Sequence, residues 1–216
     1  VTSPIVSSPG LPSEALAIPP TASVYEFGTN MAPLSWGSFV WATNLFVLFI
    51  PPDTPMEFFW KFPGDRYPIA VLLNANETYP QGLGYTAKAG EQTILPMTAL
   101  RYAETLYQLS EQRFAVLRTY DPSATGTPSY QQHIQAKVLI DSAYQAMDNR
   151  QYSKAAFYAI EAWQNARQAY QSVRGRTEDA AYTVPFISAF FLPFVFLAEK
   201  LLFKASVTSS KPTALP

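Results

Sequence analysis

Between Asp179 and Glu199 lie nineteen residues without a charged side chain, close to the ~20 that a helix needs to cross the hydrocarbon core of a bilayer. Phe186, Ile187, Phe190, Phe191, Leu192, Phe194, Val195, Phe196 and Leu197 point to every side of a 3.6-residue period, so a helix made from them offers water no polar face. Pro185 and Pro193 would each cost roughly 3 kcal/mol inside a soluble helix, whereas membrane helices tolerate proline where neighbours take up the freed carbonyls. Pro185 is expected in the first turn. Lys200 and Lys204, one turn apart, can reach the interface while Leu201, Leu202 and Phe203 stay in the acyl boundary. These features predict a transmembrane helix over residues 180–204, anchored by Phe186, Phe190, Phe194, Leu197, Lys200 and Lys204. A buried core helix and an interfacial helix are the competing readings. Arg167, Arg174 and Arg176 before the span balance Lys200, Lys204 and Lys211 after it, so the lysine and arginine rule does not decide orientation. The N-terminal side is expected outside, from the character of the long segment that precedes the span.

Charge and composition narrow the partners. Fifteen basic against sixteen acidic residues leave no basic face for nucleic acid. The expected partners are the lipid bilayer and a protein of a membrane complex, and the expected location is the cell membrane, single-pass, with the bulk of the chain outside. Cysteine is absent, which excludes disulfides and thiolate zinc sites, and the single histidine, His133, excludes two-histidine metal motifs. No cofactor is expected. Residues 1–20 carry neither the basic region nor the apolar stretch of a signal peptide.

The predicted fold class is α+β: a β-rich segment, an antiparallel helical hairpin within a set of three helices, then the transmembrane helix. Residues 1–22, rich in proline, serine and glycine, read as a disordered lead-in. Residues 23–90 read as an extracytoplasmic β-rich segment with strands near 24–27, 38–50, 56–62 and 68–73. Within it, residues 28–52 form a second uncharged run, read as a buried strand pair, with a first membrane span, and hence a two-span protein, as the alternative. Past the glycines of residues 81–90 the period becomes helical, so a domain boundary is expected there. Helices are predicted over 96–119, 130–148 and 152–173, the last stopping at Gly175, in a segment covering 91–176; residues 205–216 read as a flexible tail.

Candidate chemistry is sparse. Ser129, His133 and Asp141 lie on one predicted helix, whereas catalytic triads draw on separated elements. Pairs such as Glu104 with Glu111, or Asp141 with Asp148, read as solvated helix faces. Gly82 and Gly84 lack any following phosphate-binding sequence. The chain is therefore expected not to be an enzyme. Asn76-Glu77-Thr78 fits a glycosylation acceptor, a triplet that also arises by chance. Trp36, Trp41, Trp60 and Trp163 are candidates for a ligand or partner surface, with a carbohydrate- or small-ligand-binding module as the alternative function; core packing is the competing use.

Ala155, Ala159, Ala162, Ala166 and Ala169 make a small-residue groove on the third helix. Ala143, Tyr152-Ser153-Lys154-Ala155 and Ala162 resemble one tetratricopeptide hairpin, without a second copy at the repeat period. A β-rich segment, then YSKAAFYAIEAWQNARQAY, then LPFVFLAEKLLF, resembles the extracytoplasmic region and following membrane helix of FtsX-like permease-type prokaryotic membrane proteins. That resemblance covers the last third of the chain. It implies a portion held outside the membrane in envelope or transport assembly and supplies no catalytic residue.

Overall fold

Among the described residues, seven strands precede three α-helices. A computed structural model describes the backbone of residues 3–7, 21–29, 31–41 and 45–208, and the side chains of these except 3–7, 38–41, 45–46, 180, 184 and 202–208. The strands are β1 (Ser3–Ser7), β2 (Thr21–Glu26), β3 (Gly37–Trp41), β4 (Leu45–Ile50), β5 (Met56–Lys61), β6 (Ala70–Leu72) and β7 (Thr93–Leu95). One sheet has the order β3-β4-β1-β7, the other β2-β5-β6. The second is wholly antiparallel, with Val24 opposite Phe58 and Phe58 opposite Leu72.

The residues explain the second sheet. In β5, Met56, Phe58 and Trp60 alternate onto one face and are buried, while Phe59 is only partly covered. Strand β6 is buried throughout. The loop after it closes on its own backbone: Leu83 and Gly84 both donate to the Leu73 carbonyl, at 3.0 and 2.9 Å. Gly82 makes this approach possible, because its φ is +91° and a Cβ there would lie 2.2 Å from the Leu73 oxygen.

The first sheet corrects one expectation and agrees with another. Residues 1–22 are not wholly a disordered lead-in, since β1 pairs antiparallel with β4 and parallel with β7, and β2 begins at Thr21. Local composition could not show this, because the strand depends on two edges distant in sequence; residues 8–20 lie outside the described residues. The uncharged run 28–52 holds the strand pair β3–β4, with Phe39 opposite Val47, and the fully buried Leu48 and Ile50 belong to the core. That overturns the first membrane span and, with it, the two-span alternative.

Helix α1 (Thr98–Tyr120) and α2 (Pro128–Asp148) flank a short 3-10 turn, Pro122–Gly126. Asp121 caps that turn by accepting from the Ser123 amide, and Thr127 caps α2 with Pro128 in its first turn. Helix α2 ends in a Schellman arrangement: Arg150 N–H donates to Met147 O and Gln151 N–H to Ala146 O, with Arg150 left-handed at φ 57°. Helix α3 (Tyr152–Thr208) then runs back along α2, and Gln132 donates across to Gln168 at 2.7 Å. It does not stop at Gly175. A glycine ends a helix by turning left-handed, and Gly175 is not among the positive-φ glycines. Pro185 likewise lies inside the helix and not in a first turn.

The chain divides into Val1–Arg174 and Gly175–Pro216. The boundary expected near residue 90 is absent, because the sheet and the helices share one core. Phe58 packs on Trp60 (ring centroids 6.3 Å), Trp60 on Tyr102 (5.4 Å) and Tyr102 on Trp163 (6.4 Å), a file of rings from β5 through α1 into α3. The indole of Trp163 donates to the Ile69 carbonyl at 2.9 Å. Ala155, Ala159, Ala162, Ala166 and Ala169 are all buried, as a close helix contact requires.

Candidate functional site

The candidate tryptophans do not share one fate. Trp60 and Trp163 are 1% and 2% exposed and build the core, so they are not available as a ligand surface. Their aromatic spacing could not reveal this, since core and platform use the same residues. Trp36 is exposed, and the Trp41 side chain lies outside the described residues. Among the described side chains, Trp36 is the one exposed indole of the four candidates.

The anchor residues behave as one group. Phe186, Phe190, Phe194 and Leu197 are each more than half exposed, and Lys200 lies over the Phe196 ring at 4.9 Å. The Lys204 side chain lies outside the described residues. No residue of the apolar window is buried, and α3 is the one described helix long and apolar enough to cross a membrane. Pro185 and Pro193 remove the donors that would meet the carbonyls of Ala181 and Ala189. Upstream, the Thr183 hydroxyl donates to the Asp179 carbonyl at 2.6 Å, one turn back.

His133 is a fully buried polar residue of Val1–Arg174. Its ring is fully buried on α2, stacked on Tyr107 of α1 (4.3 Å, 2° between planes) and bordered by Phe114 and Tyr130. Its Nε2 lies 2.6 Å from Glu111 Oε2, and the other Glu111 oxygen accepts from Arg118 at 2.5 Å. Arg118 also donates to the Tyr130 hydroxyl. Burial holds the imidazole below its usual range against the pull of Glu111, so the ring is neutral near pH 7 and donates from Nε2. Burial raises the Glu111 carboxyl, but the hydrogen bonds from His133 and Arg118 outweigh it and leave it below the ordinary carboxylate range. A carboxylate paired on both oxygens is a poor base, and this arrangement reads as a polar cross-tie between α1 and α2.

The triad considered in the sequence does not assemble. Ser129 shares its hydroxyl with Thr127, His133 bonds Glu111, and Asp141 pairs with Lys137. The surrounding surface holds a cleft of about 270 Å³ between α1, α2 and the loop after β6, lined by Asn76, Glu77, Glu104, Lys137, Asp141 and Tyr144 among others. Lys137 bridges Glu77 and Asp141, each at 2.9 Å, and both bonds raise its pKa. Burial pushes the Glu104 carboxyl up, against a short hydrogen bond from Tyr144. The pairing of Lys137 with Asp141, four residues on along one helix, was open to a sequence reader. The pairings of Glu77, Glu111 and Glu104 across elements had no such signal. No group of three or more potential metal ligands occurs among the described residues.

No family model, curated protein or solved structure matches the chain.

Proposed function

We propose that this chain is a membrane-anchored, extracytoplasmic, non-catalytic module that acts in the interaction or assembly of a membrane complex. The observation that carries the reading is the apolar window of α3, none of whose residues the chain itself covers. Burying such side chains is worth about 1.5–3 kcal/mol each, and lipid supplies that burial with the backbone, apart from the carbonyls freed by Pro185 and Pro193, satisfied inside a helix. Val1–Arg174 supports the non-catalytic part: Glu111 with His133 and Lys137 with Glu77 are pairs that lock elements together. Partner contact falls to the helices, where Val116, Tyr120, Tyr152 and Phe157 stand exposed. The resemblance of the last third to FtsX-like permease-type proteins supports a transport-related complex.

Carbonate extraction of membranes holding the full chain, beside a chain ending at Gly175, tests the anchor. The full chain is expected to resist extraction and the shortened chain to be released. Release of both defeats the reading.

A further inference from the structure

The loop after β6 holds the one Asn-x-Ser/Thr triplet in the chain, Asn76-Glu77-Thr78; the other five asparagines, at 30, 44, 74, 149 and 165, have no serine or threonine two residues on. From its geometry we propose that Asn76 is a glycan attachment site. The inference rests on the extracytoplasmic placement of Val1–Arg174 proposed above.

Three observations converge on Asn76. Asn76, Glu77, Thr78 and Tyr79 are all exposed, in contrast to the buried strand β6 just before them and to Leu73 and Ala75. The Asn76 carboxamide is held in one orientation: its Oδ1 accepts from the amides of Thr78 (2.9 Å) and Tyr79 (2.8 Å), while its own backbone N–H donates to the Tyr79 carbonyl at 3.1 Å. Those two donors fix the oxygen against the backbone and leave Nδ2, which no other described residue engages, as the open end of the amide. The Glu77 side chain, which could otherwise fold over the turn, is drawn aside to Lys137 at 2.9 Å. Asn74, two residues earlier, shows the opposite: its Nδ2 is committed to the Gly84 carbonyl at 3.2 Å and it is partly buried.

The co-reactant is an oligosaccharide carried on a lipid diphosphate. Nδ2 forms a bond to the anomeric carbon, the bond from that carbon to the phosphate oxygen breaks, and the lipid diphosphate leaves with the electron pair. The amide nitrogen loses one proton to a base of the transferring enzyme, and nothing is oxidised or reduced. The product is a bulky hydrophilic group on an exposed turn.

Mass spectrometry of the full chain, isolated from membranes of its own cells, tests the proposal. Trypsin releases residues 67–88, which contain both Asn74 and Asn76. Fragmentation is expected to place a glycan mass on Asn76 and none on Asn74. Asn76→Asp keeps the oxygen acceptor of the turn, and Thr78→Ala keeps its backbone donor, so both variants are expected to fold, as judged by unchanged limited proteolysis, and to lose the added mass. Protease added to intact cells separates the two ways to fail. An unmodified peptide from a chain that external protease cuts overturns the glycan site and leaves the placement standing. An unmodified peptide from a protected chain overturns the placement, and the inference falls with it. A mass that persists in Thr78→Ala also overturns the proposal.

Discussion

Residues 155–173 and 186–201 belong to the same helix, α3, and both are rich in apolar side chains, yet their surroundings are opposite. In the first stretch Ala159, Ala162, Trp163, Ala166, Ala169, Tyr170 and Val173 are buried by the strands and helices of Val1–Arg174. In the second every large apolar side chain is exposed, from Phe186 to Leu201. The first stretch keeps a polar side: Glu161, Gln164, Arg167 and Gln168 alternate with its buried residues. The second has none. Apolar content alone therefore states only that a helix needs cover, and the presence or absence of a polar face tells whether the chain can supply it on one side or a surrounding solvent must supply it on all.

Breaking the covered stretch should have the largest effect. Trp163→Ala removes the end of the ring file and the hydrogen bond to Ile69, and is expected to cost about 3–5 kcal/mol in denaturant unfolding of the detergent-solubilised chain. Retention in the membrane should not change. Phe190→Arg inverts that pattern: a charge near the centre of a span costs about 2.5–3.5 kcal/mol, so carbonate resistance should fall while the unfolding midpoint of Val1–Arg174 stays in place. A shift of that midpoint would contradict the division between the two stretches.

Acid sharpens the comparison further, because the titrating cross-tie belongs to the covered region alone. His133 has a folded pKa below its unfolded value of about 6.5, so the unfolded chain binds the extra proton and stability falls as pH drops below that value. Glu111 is also lowered, so its contribution is present above about pH 4.3 and is lost as pH falls through its folded value. Unfolding followed from pH 8 to about pH 2 should show the first limb below about 6.5, and His133→Gln should remove it and leave a weaker later limb that Arg118 still holds. The smallest effect is expected at the turn that launches α3. Arg150→Gly relieves a left-handed φ of 57° and should stabilise by about 0.5–1 kcal/mol, read as a small rise in the midpoint.

Much of this architecture is legible in the residues. The apolar period marks α1 and α2 to within a few positions, and the alternation of Met56, Phe58 and Trp60 marks β5. The signals that misled were those with two meanings. Gly175 serves as a stop only when its φ turns positive, and Trp60 and Trp163 serve as a surface only when nothing packs on them. Strand β1 and the pairs Glu111–His133 and Glu77–Lys137 join positions far apart in sequence, where no local period exists to be read.

By itself the sequence determined the class of most segments: strands where β-branched and aromatic residues alternate, helices where the period is 3.6, and an apolar run without a polar face after Asp179. Only the tertiary structure decided which of those apolar residues cover one another. It merged the strand and helix segments into one core, made Trp163 a keystone of it, and carried α3 unbroken past Gly175. The physical reason is that secondary structure follows from neighbours a few residues apart, whereas burial is a property of surfaces that meet across the whole chain.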